Sequence, residues 1–277
     1  MNKYLKLVNF ELNRFIKVYA ALLAITILSQ LAAIILVSKK YVNEASKTMT
    51  QLEITKAEFI VQNGKLYFTD IMRSLWYMAP IALSAVVLIL YIFLIWYRDW
   101  FGKNTFIYRL LMLPTARINI YFAKATTILL FVFGLVALQI LLLPIENSIY
   151  SEIVPDGMKN GAASLKDLIF SNEMLRLIIP NTFTQFLLYY GAGIMAVFII
   201  FTAILMERSY RIKGAILAII YCVAAAAVMI IPDYISGTDI LYLYPIELLG
   251  LKVLLGVLIS TVSIFVGNHL INKKVMV

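Results

Sequence analysis

Cysteine and histidine are scarce in this chain of 277 residues. It has one cysteine, Cys222, and one histidine, His269. A disulfide framework and a cysteine metal site each need more than one cysteine, and a histidine cluster needs more than one histidine. These absences exclude a disulfide-stapled fold and any metal or catalytic site built within one chain from several cysteines or histidines.

Charge is scarce as well, and apolar residues are in excess. Charged residues make up 14% of the chain and hydrophobic residues 62%, whereas soluble domains average about 25% charged and about 45–50% apolar. The excess falls in unbroken runs of roughly 20 residues, the length that spans a bilayer as a helix. The composition therefore predicts an all-α integral membrane protein.

Two functional signatures are also missing. No G-x-x-x-x-G-K-[ST] phosphate loop is present: Gly102-Lys103 is the nearest fragment, but Tyr97 stands where the first glycine should be. Every acidic residue lies at or outside the end of a predicted span, whereas ion-coupled carriers usually have ionisable groups within spans. We therefore expect no catalytic, cofactor-binding or metal-binding residues on this chain, and we do not expect it to be an enzyme.

The apolar runs predict a single membrane domain over residues 1–277. A basic amphipathic stretch, 2–17, precedes the first run; it is predicted to be an interfacial helix, with a frayed basic terminus as the alternative. The first run is longer than the h-region of a signal peptide, so we expect it to be retained. The predicted spans are residues 18–37, 75–97, 118–143, 183–206, 214–231 and 251–270.

Three longer connections, 38–74, 145–181 and 232–250, are predicted to lie outside the cell. In the first, Asn63-Gly64 between β-rich runs predicts a small extracellular β-hairpin. In the second, Ser164 to Asp167 resembles a capping box and predicts a short helix. The third is too apolar for a solvated loop and too short to span, so a re-entrant or interfacial helix is expected there.

Charge predicts the orientation. With both termini in the cytoplasm, the inner segments hold 14 of the 24 basic residues and three of the 15 acidic residues. An excess of Lys and Arg in short loops marks the cytoplasmic side. The net charge of +9 therefore indicates topology and attraction to anionic lipid, and we expect no nucleic-acid partner.

The most distinctive stretch is the predicted cytoplasmic crossing at residues 98–124. It contains an amphipathic segment, 104–113, predicted to be a short helix. A corner formed by Pro114 and Thr115 follows, with Thr115 as the expected N-cap of the next span. Lys124 lies about two turns inside that span.

The basic residues of this crossing have two interpretations each. Lys124 can extend its stem back to the interface, or it can pair with the corner or with a partner carboxylate. Arg109 and Arg117 are either anchors of the positive-inside kind or salt-bridge donors to a soluble partner.

The sequence Leu113-Pro114-Thr115-Ala116-Arg117, followed by Lys124 seven residues later, resembles the coupling-helix corner of ABC transporter permeases of the ABC-2 type. In that family a short helix precedes Leu-Pro-[small]-[Ser/Thr/Ala]-Arg, and a lysine follows at this spacing. Ala116 stands where a serine is frequent. The plan of an interfacial helix, six spans and a broken apolar segment before the last span is similar too.

The resemblance implies a permease subunit that pairs with a second permease chain, identical or paralogous, and docks two cytoplasmic ATPase subunits, which would hold ATP and magnesium. It implies residence in a plasma membrane, bacterial in our expectation, and export of an amphipathic or hydrophobic substrate: a peptide, an antibiotic or a lipid-like molecule. Resistance to antimicrobial peptides is one such role.

In that interpretation each predicted residue has a part. The coupling helix would dock the ATPase through Phe106, Ile107, Arg109 and Leu110. The coupling corner would consist of Pro114, Thr115, Arg117 and Lys124. The alternatives are a membrane sensor or scaffold subunit, which needs no chemistry, and a secondary carrier that works without an ATPase.

Overall fold

The computed structural model describes residues 3–101, 106–159, 164–236 and 244–274. Within these ranges the chain is helical, and extended pairing is confined to one isolated bridge between Leu66 and Lys159. The helices are α1 (Lys3–Leu52), α2 (Lys56–Asn63), α3 (Phe68–Met72), α4 (Leu75–Trp100), α5 (Phe106–Leu111), α6 (Ile118–Ile153), α7 (Leu165–Ser171), α8 (Glu173–Ile178), α9 (Phe183–Ser236) and α10 (Pro245–Lys273).

Five helices in the described ranges are long and apolar enough to cross a membrane: α1, α4, α6, α9 and α10. This confirms the predicted class, an all-α multi-pass membrane protein. The predicted count of six spans is not confirmed, because the runs 183–206 and 214–231 both fall within α9.

Helix α9 is broken at Arg211, whose backbone angles are φ 53° and ψ −126°. A Cβ added at Gly214 would overlap the carbonyl oxygen of Met206, eight residues earlier, which an unbroken helix would hold about 12 Å away. Thr202 and Tyr221 also both hydrogen-bond to Ser263. The two arms of α9 therefore fold back on each other.

The strain of this turn is concentrated at Arg211. Positive φ is sparsely populated by residues that carry a side chain, and such a conformation costs about 1–3 kcal/mol. On the C-terminal side of the turn the close approach of the chain requires glycine at position 214, because any side chain there would overlap the backbone of Met206 and Glu207.

The described chain divides into two compact units. Unit 1 comprises Met1–Arg14, Leu88–Leu130 and Thr182–Val277, and unit 2 comprises Phe15–Val87 and Phe131–Asn181. Each is described here by itself. The expectation of a single membrane domain stays a prediction.

Unit 2 has a core to which its short helices contribute. Phe59 of α2, Phe68 and Met72 of α3, Leu168 of α7 and Leu175 of α8 are all buried in one apolar cluster. Burying an aromatic or large aliphatic side chain contributes about 1.5–3 kcal/mol. The connections predicted to be outer loops are therefore packed helical structure in this unit.

The predicted β-hairpin at Asn63-Gly64 is wrong. Residues 56–63 form α2, which begins with a capping box: the Thr55 amide donates to Glu58 Oε2 at 2.7 Å, and the Glu58 amide donates to Thr55 Oγ1. Gly64, at φ 78°, ends the helix and donates its N–H to the carbonyl of Ile60. The local capping signal outweighed the turn signal because both ends of a helix were specified.

The predicted capping box at Ser164 is confirmed. Ser164 and Asp167 exchange the expected hydrogen bonds at the start of α7. The helix ends at Ser171, because Asn172 is extended and caps α8 instead, accepting from the amides of Met174 and Leu175.

Several predicted boundaries are wrong because helices continue past the apolar runs. Helix α1 is continuous from Lys3 to Leu52, so the stretch 2–17 is not a separate interfacial helix. Helix α6 passes through Pro144 and ends at Ile153. A proline removes one backbone hydrogen bond, but a membrane helix tolerates it where neighbours support the backbone. Of the predicted segments, residues 2, 102–105, 160–163 and 237–243 lie outside the described ranges.

Unit 1 is organised around aromatic side chains of three helices. Trp96 of α4, Tyr121 of α6 and Phe201 of α9 are buried, and their ring centroids lie 5.4–6.3 Å apart. Gly267 of α10 lies against the Tyr121 ring, where an added Cβ would come within 3.0 Å. This aromatic core holds in place the helix segments that carry the charged residues of unit 1.

Candidate functional site

Lys124 is fully buried in unit 1. Its ammonium group donates to Glu11 Oε1 at 2.7 Å, to Asp99 Oδ2 at 2.5 Å and to the carbonyl oxygen of Ile95 at 2.7 Å. An ammonium group has three protons to donate, so these three acceptors satisfy it. It also lies 5.1 Å from the centre of the Trp96 ring. The ammonium group therefore does not extend to the surface, as the snorkelling interpretation expected, and it pairs with two carboxylates of its own chain rather than with the corner or a partner carboxylate.

The two carboxylates are buried too: Asp99 is shared between two cations, and Glu11 between three, because Arg14 also lies 3.7 Å from Glu11 Oε2. Asp99 Oδ1 accepts from Arg14 Nη1 at 2.6 Å, and Glu11 Oε2 accepts from Arg98 Nη2 at 2.9 Å. We call Glu11, Arg14, Arg98, Asp99 and Lys124 the buried ion network. It joins α1, α4 and α6.

The network contains three cations and two carboxylates, so it carries a formal charge of +1. The arginines are partly exposed, whereas Lys124 and the carboxylates are not. Breaking a buried ion pair by removing one partner costs about 3–5 kcal/mol, because the other charge is left uncompensated. Lys124 is the most consequential position, since its removal would strip both carboxylates of a counter-ion.

Arg14 connects this network to the predicted coupling helix. Its guanidinium carbon lies 5.1 Å from the ring centres of both Phe10 and Phe106, and those rings stack with their centroids 5.5 Å apart. Guanidinium–ring contacts add about 0.5–1 kcal/mol at exposed sites and more when desolvated. A continuous path of direct contacts therefore runs from α5 through Arg14 and Asp99 to Lys124.

The predicted docking residues of α5 fall into two groups. Ile107 is 1% exposed and Leu110 is 3% exposed, so both are buried within this chain rather than presented to a partner. Arg109 is exposed, and Phe106 is half-buried against Phe10 and Arg14. The surface that α5 and the two residues after it present therefore consists of Arg109 with residues that were not predicted: Tyr108, Met112 and Leu113.

The predicted corner residues are tied to other helices. Lys3 of α1 donates to the carbonyl of Pro114 at 2.9 Å. Arg117 donates to the carbonyls of Ile271 at 3.1 Å and Asn272 at 3.4 Å, at the end of α10, where a cation also complements the helix dipole. The N-cap prediction for Thr115 is wrong: its hydroxyl is buried without a hydrogen-bond partner in the described ranges, and α6 begins at Ile118.

Sequence reasoning missed the carboxylates. Glu11, Asp99 and Glu146 lie at or beyond the ends of the predicted spans, as expected from the sequence, but they are buried within the long helices α1, α4 and α6, which the sequence reasoning did not foresee. A signal for Glu11 was present: it shares a helix face with Leu7, at i−4, and Val8, at i−3, both of which are buried. A single acid on an apolar face indicates a buried partner.

No three His, Cys, Asp or Glu side chains gather as metal ligands in the described part of the chain. The carboxylates of Glu11 and Asp99 are instead paired with lysine and arginine, and Glu146 accepts from the Tyr77 hydroxyl. The network can hold segments of α1, α4 and α6 in fixed positions relative to one another.

Comparison with protein-family models, with curated proteins and with solved structures finds no match to this chain. What supports a functional assignment is therefore the sequence pattern of the crossing and the contacts of its residues.

Proposed function

We propose that this chain is the membrane-spanning permease subunit of an ATP-driven ABC transporter of the ABC-2 type, exporting an amphipathic or hydrophobic substrate. The observation that carries the proposal is the contact path from α5 to the buried ion network: Phe106 stacks on Phe10, Arg14 lies against both rings, and Arg14 pairs with Asp99. A helix that must pass on a partner's movement needs such a connection to the membrane helices.

In this proposal the chain crosses a bacterial plasma membrane six times, with both termini in the cytoplasm. The two arms of α9, which fold back at Arg211, supply the fourth and fifth crossings. The distribution of Lys and Arg supports the orientation. A second permease chain and two ATPase subunits, which hold ATP and magnesium, complete the transporter.

The mechanism follows from the stiffness of the network. When the ATPases close on ATP, the exposed face of α5 moves with them. Phe106 and Arg14 pass that movement to Asp99, and the short bonds of Lys124 join the ends of α1, α4 and α6. The three ends therefore move as one body.

The docking surface is revised by the burial of Ile107 and Leu110. We assign those two residues to anchoring α5 and assign the ATPase contact to Tyr108, Arg109, Met112 and Leu113. Two of these are large and apolar with one cation among them, which suits a cleft with an apolar wall and an acidic rim.

An ion-coupled carrier is the second candidate, and the buried carboxylates Glu11 and Asp99 favour it. Against it, each carboxylate is held by at least two cations, so protonating or releasing one would break the network. Substrate movement driven by an ion gradient in vesicles that contain this chain and no ATPase would establish the carrier instead.

The test of the proposal is copurification of the tagged chain from its native membrane, followed by ATPase measurement. We expect a Walker-type ATPase to copurify and Arg109→Ala with Met112→Ala to reduce its stimulation by about tenfold, as for a loss of about 1.4 kcal/mol. Arg176→Ala, on α8, is the matched control. Purification of the chain without any ATPase would contradict the proposal, and so would ATPase stimulation that the double variant leaves unchanged.

A further inference from the structure

A cavity of about 440 Å³ lies beside the turn between the two arms of α9, within unit 1. It takes no part in the contact path from α5 to the buried ion network. Its walls combine arginine, tryptophan and apolar side chains: Trp100, Glu207, Arg208, Arg211, Ile212 and Ala215.

Two buried donors at this cavity have no acceptor within the described ranges: the indole Nε1 of Trp100 and the Nε of Arg208. A buried N–H without a partner is costly, so such groups usually have a ligand or a water to donate to. Both side chains line the cavity, but their two nitrogens have almost no accessible surface, so an oxygen-rich anion bound there would accept from them after the side chains turn toward it.

The Arg208 guanidinium is held in position by ring contacts rather than by a strong ion pair. Its carbon lies 4.6 Å from the Tyr97 ring centre and 5.5 Å from that of Phe101. Its nearest carboxylate oxygen, on Glu207, is 3.9 Å away, and the other Glu207 oxygen accepts from the Tyr97 hydroxyl. The planar donor fork of Arg208 is therefore pre-oriented, and such forks match phosphate oxygens.

Arg211 adds a second cation. It is exposed at the mouth of the cavity and occupies a backbone conformation, φ 53°, that favours glycine. An arginine at such a position keeps its charge at the cavity despite the backbone cost. With Glu207 counted, the cavity has a formal charge of +1.

An apolar ridge leads away from the cavity along the second arm of α9. Ile212 is 81% exposed, and Ile216, Ile220 and Val223 follow at helical spacing, each more than half exposed. A ridge of this kind fits an acyl chain, and an interfacial tryptophan beside arginines fits the headgroup level of a bilayer.

We infer that this cavity binds the phosphate group of an anionic phospholipid, with an acyl chain lying along the ridge of α9. Arg208 and Trp100 donate to the phosphate, and Arg211 neutralises the remaining negative charge. The continuity of cavity and ridge favours a lipid over free phosphate. The inference does not depend on an ATPase partner.

The test uses the full chain purified in nonionic detergent, incubated with phosphatidylglycerol or phosphatidylcholine and measured by native mass spectrometry. We expect phosphatidylglycerol to be retained preferentially at one lipid per chain. Arg208→Gln and Arg211→Gln should each reduce retention about fivefold, as for about 1 kcal/mol per basic residue at a membrane surface. Trp100→Phe should also reduce lipid retention, because it removes the indole N–H while keeping an aromatic ring.

Lys213→Gln is the matched control, since Lys213 is exposed and close in sequence but does not line the cavity. Retention should be unchanged in that variant, and elution in size-exclusion chromatography should confirm that every variant is folded. Equal retention of the two lipids, or an equal loss in Lys213→Gln, would overturn the site.

Inorganic phosphate and water-soluble glycerophosphoglycerol distinguish the sources of the phosphate. Neither should displace bound phosphatidylglycerol at millimolar concentration, because neither contacts the ridge. Full displacement by either would overturn the assignment to a lipid, whereas failure to displace supports it.

Discussion

The ammonium nitrogen of Lys124 lies 2.5 Å from Oδ2 of Asp99, and both side chains are fully buried. The two residues belong to different helices, α6 and α4, and Glu11 of α1 shares the same lysine. One amine therefore ties three helices together, in a part of unit 1 that also touches α5 through Arg14.

Replacing Lys124 should strongly destabilise the protein. In Lys124→Met the two carboxylates lose a shared counter-ion, and we expect a loss of about 3–5 kcal/mol. The measurement is the free energy of unfolding in detergent micelles. Adding Glu11→Gln to the variant should recover part of the loss, because the buried Glu11 side chain that has lost its ammonium donor is then neutral, while its other partners, Arg14 and Arg98, are partly exposed. Lys17→Met, at an exposed position of α1, should have little effect; a loss in Lys124→Met no larger than in this control would contradict the burial of the network.

The amide pair of unit 2 offers a separate test. Gln30 and Gln139 are buried and donate to each other at 3.1–3.2 Å. Gln30→Leu leaves the other amide unpaired and should cost about 1–3 kcal/mol. The double variant with Gln139→Leu should be less destabilised than either single variant. Additive losses in a double-mutant cycle, measured by unfolding, would show that the amides do not interact.

The turn of α9 predicts different responses to the same substitution at two glycines. Gly214→Ala should destabilise by about 1–3 kcal/mol, because the new methyl group meets the Met206 carbonyl and the backbone has to shift. Gly191→Ala, where nothing described lies within 4 Å of the added Cβ, should be neutral or stabilising by up to about 1 kcal/mol, as for glycine to alanine within a helix. Equal thermal unfolding midpoints for the two variants would contradict the fold-back.

The capping box of α2 predicts a pH dependence. Hydrogen bonds from the Thr55 amide and hydroxyl hold the pKa of Glu58 below its ordinary value. A carboxyl whose pKa is lowered by folding stabilises the structure above its unfolded pKa, and this contribution is lost as pH falls through the lowered pKa. Hydrogen exchange over residues 56–63, corrected for intrinsic rates, should rise with acidification. Glu58→Gln removes the titrating group, so its corrected exchange should not depend on pH; an unchanged pH dependence in that variant would exclude this carboxyl as its source.

The membrane class and most of the long helices were predictable from the sequence, because apolar runs of spanning length are a strong signal. Helix ends were not, since a helix does not stop where its residues become polar: α1 continues through Lys39 and Lys40 to Leu52. The hairpin prediction failed because it rested on Asn63-Gly64 alone. Thr55 and Glu58, just upstream, hydrogen-bond to each other and fix the start of a helix.

Only part of the candidate site was predictable from the sequence, for a similar reason. Lys124 stands out because it interrupts an apolar run, and Phe106 and Arg117 belong to a recognisable pattern. Their partners are far away in sequence: Glu11 is 113 residues from Lys124. Pairings of that kind are set by tertiary packing, which periodicity and motif spacing do not contain.

The central claim is that movement of α5 reaches the membrane helices through Arg14, and Arg14→Lys tests it most directly. Lysine keeps the charge that pairs with Asp99 but loses the planar group that lies against Phe10 and Phe106. In the complex with the proposed ATPase partner, purified and reconstituted in lipid vesicles, we expect assembly to be retained and substrate-stimulated ATP hydrolysis to fall about fivefold, as for a lost coupling of about 1 kcal/mol. Assembly and stimulation both equal to those of the unaltered complex would contradict the account.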